Sequence, residues 1–451
     1  MAAPAGGADR AAAPATILYH VGSFDSRSVV AISEDGAGAA VTLSAAGASA
    51  SFVTALEGRR VLIAERAADG SLARLIAVGV DGSGRQVVGT APAGYEGVAK
   101  ALVSGPIVVA ALQRAGGLGV TDLYVFPPGG AAVQLAQGAT LSAVGSGRVL
   151  YLASAHAAEG SGDARSIALD ATADVALGGG DGQDQIVQTD GVRVLLTIHG
   201  AAVRLVGFSG EGAVTLATAG ANLRAFALGS GRILYTRDGA LASSSLDGTD
   251  ERVLAPAATP ILVAPDGRIL FASGGALSSV APLGGVVRVL DAHAGASVRF
   301  ARIFGDSVIF TGDGAEWAAL RAARLDGSGA RVLFEREVTL PIAAGVTSSG
   351  HVVFHASYLG QLEGGQVLSA KLDGTETQQI GRDVYSTEGT RSANVPADQD
   401  FEALTPSGRV ILESEYEGST FGAQLLVGAP ASGAARELTA LGSVRFAALI
   451  P

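Results

Sequence analysis

The chain of 451 residues contains no cysteine. Disulfide bridges, cysteine-ligated zinc and thiol catalysis are therefore excluded. Lysine is nearly absent as well, since only Lys100 and Lys371 occur, and no run of basic residues is found. The formal net charge is −11. This composition argues against a nucleic-acid partner, because binding to nucleic acid depends on clustered lysine and arginine side chains.

Long apolar runs are also missing. No stretch approaches the roughly 18 apolar residues that a membrane-spanning helix needs, so we expect no membrane span. Sustained apolar stripes with the helical period are absent too, and helices should be scarce. Residues 1–14 are rich in Ala, Gly and Pro and lack the pattern of a secretion signal. We interpret them as a disordered lead, or as the start left after removal of a signal.

Glycine, in contrast, is abundant, with 64 residues, and part of it lies in a repeated pattern. The pattern is an apolar residue, Asp-Gly, a small polar residue and a short apolar run. Its four copies start at Val80, Leu246, Leu325 and Leu372. Asp-Gly between two β-like runs indicates a hairpin, and we expect type I′ turns, in which both central residues have positive φ.

A second pattern is Gly-Arg followed by a short apolar run, complete at Gly147, Gly231, Gly267 and Gly408. Short apolar runs bounded by turn residues predict strands that are buried on both faces. Copies and variants recur at roughly 36 to 57 residues, in or near the range of propeller blades. Each unit reads as four strands, as in residues 222–256. We therefore predict an all-β fold, a β-propeller of about ten four-stranded antiparallel blades over residues 15–451.

The ends of the chain predict how the ring closes. The first unit starts directly at its second strand, at Thr16. The tail Ser443–Ala447 repeats Ser297–Ala301, which is a first strand. We expect the C-terminal strand to complete the first blade, which removes free sheet edges. Two smaller propellers are the alternative.

The x-Leu-Asp-Gly-[Ser/Thr]-x-x-x-Val pattern, with its upstream Gly-Arg strand, resembles TolB-like propellers, relatives of the WD-repeat class. The resemblance covers most of residues 16–450 and implies a bacterial β-propeller with a periplasmic or extracellular location. It implies little about activity, because propellers support binding and catalysis alike. The chain departs from TolB in having more blades and no recognisable preceding α/β domain, so partner binding through the channel mouth is not carried over.

Aligned second strands reveal one polar set. The residue after the apolar run is small, apolar or threonine in seven blades, but it is His20, His355 and Glu413 in the other three. These lie in blades one, nine and ten, which become neighbours when the ring closes. A His-Glu-His set is typical of divalent-metal sites or of acid–base catalysis.

The same sector carries long predicted loops with tyrosines and acids. Long loops on a rigid scaffold are where function concentrates. Tyrosine rings and carboxylates together suit recognition of sugars or basic peptides. The predicted binding residues are Tyr358, Glu363, Tyr385, Glu415 and Tyr416.

Other candidate motifs are weaker. The sequence has no Gly-x-Ser-x-Gly elbow and no phosphate-binding loop. We interpret Asp181–Asp184 as an interblade turn and His199 as a turn residue. The main interpretation is a non-catalytic binding or scaffold propeller that recognises a protein, a glycan or its own copies. The alternatives are a hydrolase or lyase acting on glycans or peptides, and a structural assembly subunit. No cofactor is predicted, although a divalent metal at the His/Glu set stays an alternative.

Overall fold

The computed structural model describes residues 14–22, 26–117, 119–156, 160–217, 221–295, 297–313, 318–335, 341–357, 365–381, 398–416, 422–440 and 443–451. These residues form forty strands, and no helix occurs among them. Accordingly, this part of the chain holds no helix long and apolar enough to cross a bilayer.

The strands form ten four-stranded antiparallel sheets, the predicted propeller blades. Blade 1 contains β1 (Thr16–Val21), β2 (Ser28–Ser33), β3 (Val41–Thr42) and the last strand, β40 (Val444–Ile450). Blade 2 contains β4 (Ala50–Leu56), β5 (Arg60–Arg66), β6 (Leu72–Gly79) and β7 (Gln86–Thr90). Blade 3 contains β8 (Tyr95–Ser104), β9 (Ile107–Arg114), β10 (Thr121–Phe126) and β11 (Val133–Ala136). Blade 4 contains β12 (Ala139–Gly145), β13 (Arg148–His156), β14 (Ser161–Ala168) and β15 (Val175–Ala176). Blade 5 contains β16 (Gln185–Thr189), β17 (Arg193–Ile198), β18 (Ala202–Gly207) and β19 (Val214–Ala217).

The second half of the ring repeats the same plan. Blade 6 contains β20 (Leu223–Gly229), β21 (Arg232–Arg237), β22 (Ala240–Ser245) and β23 (Arg252–Ala255). Blade 7 contains β24 (Thr259–Val263), β25 (Ile269–Ser273), β26 (Ala276–Val280) and β27 (Arg288–Asp291). Blade 8 contains β28 (Arg299–Phe304), β29 (Ser307–Asp313), β30 (Ala318–Arg324) and β31 (Arg331–Glu335). Blade 9 contains β32 (Ile342–Val346), β33 (His351–Ser357), β34 (Gly365–Lys371) and β35 (Gln378–Gln379). Blade 10 contains β36 (Asp398–Leu404), β37 (Val410–Tyr416), β38 (Gly422–Gly428) and β39 (Ala435–Glu437).

The ring closes as predicted, because β40 pairs antiparallel with β1 and completes blade 1. Ten hydrophobic clusters each join two neighbouring blades, and together they link all ten blades in one cycle. Consecutive residues of a second strand pack against the two different neighbouring blades. Ile17 packs toward blade 10 and Leu18 toward blade 2. The apolar runs are therefore buried on both faces, and the contacts form one ring rather than two smaller ones.

The Asp-Gly segments form hairpins, but the predicted turn type is wrong for the repeated pattern. In the copy at Leu246, Gly248 has φ 81° and Asp247 keeps a negative φ. Gly248 N donates to Ser245 O at 2.9 Å, and Ser245 N donates to Thr249 O at 2.9 Å. This is a three-residue loop, a type I turn followed by a left-handed glycine. Asp247 Oδ1 accepts hydrogen bonds from the backbone and hydroxyl of Thr249, which fixes the aspartate without a positive φ.

The Gly-Arg pattern has a structural explanation. Arg232, at the start of β21, donates from Nε to Ser243 Oγ at 3.1 Å. Ser243 Oγ in turn donates to Pro282 O in blade 7 at 2.6 Å. The pairs Arg148–Ser166 and Arg268–Ser279 have the same Nε to Oγ contact, at 3.0 and 3.1 Å. The arginine therefore ties the second strand to the third, and in blade 6 the serine extends the link to the next blade.

Candidate active site

The second strands end on one face of the ring, where the innermost strands begin; we call this the upper face. The strand pairing shows this. Thr197, near the end of β17, lies opposite Gln185 at the start of β16, and Val21, at the end of β1, lies opposite Val444 at the start of β40. His20, His355 and Glu413 all lie near this face, at equivalent positions in β1, β33 and β37. The sequence alignment of the second strands therefore predicted their common height.

His20 is directed toward the neighbouring blade. Its Nε2 accepts a hydrogen bond from Phe52 N, on the innermost strand of blade 2, at 3.1 Å. Burial, and secondarily the positive charge of Arg27, lowers the pKa of His20 to about 4. The imidazole is thus neutral at physiological pH, which is the state in which Nε2 accepts this bond.

Glu413 makes the equivalent contact with blade 1. It is 4% exposed, its Oε2 accepts from Phe446 N at 2.8 Å, and its Oε1 pairs with Arg445 Nη1. In blade 5 the residue at this position is Thr197, whose Oγ1 accepts from Ala225 N at 2.9 Å. Three different residue types therefore perform one task, which is to bind a backbone N–H of the next blade.

The reason for this task is a β-bulge. The register between the innermost and second strands shifts immediately after Phe52, and the same shift follows Ala225 and Phe446. A bulge interrupts the ladder and leaves backbone groups to be satisfied by other partners. His20 and Glu413 supply such partners. Arg445 lies cross-strand from His20 and pairs with Glu413, so it connects these two predicted site residues.

The predicted binding residues fall largely beyond what the structure describes. Tyr358, Glu363 and Tyr385 lie outside the described residues. Glu415 and Tyr416 are the last two residues of β37, but their side chains are likewise not described. Their role in binding stays a prediction.

A metal site also stays a prediction. Among the residues that the structure describes, no group of three or more His, Asp or Glu side chains is arranged to hold a metal ion. Glu413 in particular has both carboxylate oxygens directed at blade 1.

A polar cavity lies elsewhere on the upper face, between blades 4, 5 and 6. It has a volume of about 380 Å³. Its lining residues are almost all polar, and they come from β14, β16, β17, β20 and the turns between them. The lining residues are Ser161, Gln183, Gln185, Thr197, His199, Gly200 and Arg224.

His199 and Asp181 form the titratable pair of this cavity. His199 Nδ1 lies 3.1 Å from Asp181 Oδ2, and the His199 side chain is 57% exposed. Asp181 Oδ1 accepts from Gln183 N at 3.1 Å, which fixes the carboxylate in its own turn. With Nδ1–H donating to Asp181, His199 Nε2 is the atom left to accept a proton. His199 has φ 45° and Gly200 has φ 63°, so the ring stands at the tip of a type I′ turn.

The loop beneath Asp181 is anchored by a buried carboxylate. Asp184 is 0% exposed and accepts from Ala164 N and Gly179 N at 3.1 and 3.0 Å. A Cβ at Gly178 would lie 1.8 Å from Asp184 Oδ2, so this position requires glycine. The interblade turn predicted from the sequence is therefore present, and it also positions Asp181 beside His199.

Arg224 adds positive charge to the same cavity. It is exposed on the innermost strand of blade 6, and it forms no ion pair with any described residue. Sequence reasoning treated Asp181 and His199 as separate turn residues and did not single out Arg224. The three come together only because blades 4, 5 and 6 meet at the upper face.

No known family matches this sequence, and no curated protein matches it. Solved structures do match. A tricorn protease aligns with 91% of this chain and 44% of its own, at 12% identity and a TM-score of 0.31. A dipeptidyl peptidase 4 from Porphyromonas gingivalis aligns with 86% of this chain and 58% of its own, at 10% identity and a TM-score of 0.47. An oligogalacturonate lyase in complex with manganese aligns with 56% of this chain and 74% of its own, at 14% identity and a TM-score of 0.32.

These comparisons correct the main functional expectation. The chain spans about half the length of the first two structures, and the named matches are peptidases, a hydrolase and lyases. These matches contradict the interpretation as a non-catalytic binding or scaffold propeller and favour the enzyme alternative, which is taken up as a proposal. Likeness at this identity and TM-score carries nothing about substrate.

Proposed function

We propose that this propeller is an acid–base enzyme, a lyase that cleaves glycans bearing carboxylate groups, with its active site in the upper-face cavity. The observation that carries the proposal is that His199 and Arg224 line one polar cavity, while Asp181 pairs with His199 Nδ1. A base next to a free guanidinium suits proton abstraction from the carbon adjacent to a carboxylate, since the arginine stabilises the charge that develops.

Each side chain has a separate role in this reaction. Arg224 would bind the substrate carboxylate, because a planar guanidinium matches it in a bidentate manner. His199 Nε2 would take the proton α to that carboxylate, and Asp181 would hold the ring in the required tautomer and stabilise the imidazolium. The electron pair then forms a C=C bond, and the bond to the β oxygen breaks. The leaving oxygen takes a proton from solvent.

The cavity wall favours a glycan over a peptide. The amides of Gln183 and Gln185 and the hydroxyls of Ser161 and Thr197 line it. Such groups donate to and accept from sugar hydroxyls. Thr197 Oγ1 accepts a hydrogen bond from Ala225 N. Its hydroxyl hydrogen would therefore be donated to another partner, such as a sugar hydroxyl.

The test is a panel of acidic polysaccharides, neutral polysaccharides and peptides. Glycan cleavage is followed by the absorbance of the unsaturated product, and peptide cleavage by the release of amino groups. We expect cleavage of acidic glycans, with the rate falling about 10²- to 10⁴-fold in His199→Gln. Arg224→Met should raise KM and lower kcat. Arg193→Met is the matched control, because Arg193 pairs with Asp190 away from the cavity, and it should cleave normally. Cleavage of peptides alone, or full activity in His199→Gln, would refute the assignment.

We also propose a periplasmic or extracellular location and a TolB-like origin. The TolB-like origin is supported by the repeated Asp-Gly hairpins and the strand-completed ring, and the location is what that resemblance implies. Cell fractionation of the producing organism checks the location.

A further inference from the structure

A second cavity, of about 610 Å³, lies between blades 1 and 2 on the lower face, opposite the His199 site. Its wall includes the ends of β1, β2, β5 and β6 and the turns that follow β2, β4 and β6. Arg59 and Arg60, which are consecutive in the chain, both line it, and Ala37, Ala39, Val41 and Val80 give it an apolar part. A volume of this size is within the range of small-molecule sites.

Arg60 departs from the arginines that begin other second strands. In those blades the arginine donates from Nε to a serine of the third strand, and this serine lies opposite a leucine of the second strand. The arginines are Arg148, Arg232 and Arg268. In blade 2 the position opposite Leu62 is Ala77. The serine is therefore missing, and Arg60 Nε is buried without a hydrogen-bond partner. Arg60 Nη2 reaches only Gly84 O, at 3.3 Å.

Arg59 is unusual for an independent reason. The residue before the arginine is Gly147 in blade 4 and Gly231 in blade 6, and both glycines have positive φ. Blade 2 has Arg59 there, with φ 56°. A long side chain at a left-handed position is disfavoured, and such strain is concentrated at functional sites. Arg59 Nη2 donates to Thr16 Oγ1 at 2.6 Å, so its guanidinium is directed across the cleft toward blade 1.

Asp81 is the carboxylate that lines the cavity, and it forms no ion pair with Arg59 or Arg60. Asp81 Oδ1 accepts from both the backbone and the hydroxyl of Ser83. These hydrogen bonds lower the pKa of Asp81, so it stays charged but bound within its own turn. The cavity thus combines two guanidinium groups at one side with small apolar residues at the other.

We propose that this lower-face cavity binds a small organic anion, with its carboxylate or phosphate group held by Arg59 and Arg60 and its apolar part against Val41 and Val80. An oxyanion accepts from the outer nitrogens of the two guanidinium groups, which Thr16 Oγ1 and Gly84 O engage only in part. The site is separate from the His199 cavity, so its occupancy does not depend on the proposed lyase reaction.

The experiment measures binding of benzoate and phenyl phosphate to the full chain by calorimetry, with benzyl alcohol as the uncharged control. We expect saturable binding of at least one anion and none of benzyl alcohol. The anion that binds identifies the head group as carboxylate or phosphate. Affinity should fall about tenfold or more in Arg60→Met and in Arg59→Met.

Two further variants keep the test decisive. Arg268→Met removes an arginine at the equivalent position of blade 7, where Ser279 already engages it, and it should leave affinity unchanged. Ala77→Ser restores the missing serine, should preserve folding, and should weaken anion binding severalfold by turning Arg60 toward the third strand. The proposal is overturned if neither anion binds saturably, if Arg60→Met or Ala77→Ser binds as the wild type does, or if Arg268→Met loses as much affinity.

Discussion

Acidification should weaken this fold through His20. The pKa of the folded-state imidazole is about 4, because burial disfavours its charged form, and its ordinary value is 6.5. Between these values the unfolded chain binds a proton that the folded chain does not. Stability is therefore fully retained above pH 6.5 and falls as the pH drops toward 4. This difference in pKa corresponds to a loss of folding stability of at most about 3 kcal/mol at pH 4.

Protonation also has a structural consequence. Charged imidazole has no acceptor at Nε2, so the hydrogen bond from Phe52 N to His20 is lost and the contact between blades 1 and 2 weakens. The variant His20→Gln offers an amide oxygen that accepts from the same N–H but does not titrate. Subtracting its stability from that of the wild type removes the contribution of the carboxylates, which also protonate in acid.

Two measurements check this reasoning. Both proteins should be unfolded with denaturant from pH 4 to 8. The free energy of unfolding of the wild type, minus that of His20→Gln, should be constant above pH 6.5 and should decrease below it. NMR titration of the histidine rings should show one resonance, absent from His20→Gln, that titrates near pH 4. Parallel pH profiles, or a His20 ring that titrates near 6.5, would show that the imidazole is not held as an interblade acceptor.

Three further outcomes are expected from denaturation measurements. Thr197→Val should cost about 1–3 kcal/mol, because Ala225 N loses its acceptor, while Thr197→Ser should be nearly neutral. Ser243→Ala should cost a similar amount, about 1–3 kcal/mol, since Arg232 Nε and the link to blade 7 both lose their partner. Glu413→Leu should destabilise blade closure more than Glu413→Gln, which keeps an acceptor for the backbone of blade 1; equal effects would place the stabilisation in the exposed ion pair instead.

The site could be anticipated only in part. The alignment of apolar runs placed His20, His355 and Glu413 at one height, because position along a strand is a local property. The direction of their side chains was not predictable in that way. His20 and Glu413 point to the next blade because they bind a backbone N–H at a bulge of its innermost strand. That strand is distant from the residue along the chain or belongs to another sheet. His199 and Arg224 gave no signal for the same reason, since each is an ordinary turn or strand residue until blades 4, 5 and 6 are assembled.

By itself, the sequence determined the repeat, the four strands of each blade and the closing of the ring by the tail. Strand patterns and turn residues act over a few neighbours, and the tail repeats a segment that already has a strand role. The tertiary structure alone decided what lies between blades. It turned Glu413 toward Phe446, brought Asp181 to His199, and directed Arg59 toward Thr16. Those contacts join residues of different sheets, and their geometry is set by packing around the ring rather than by any local preference.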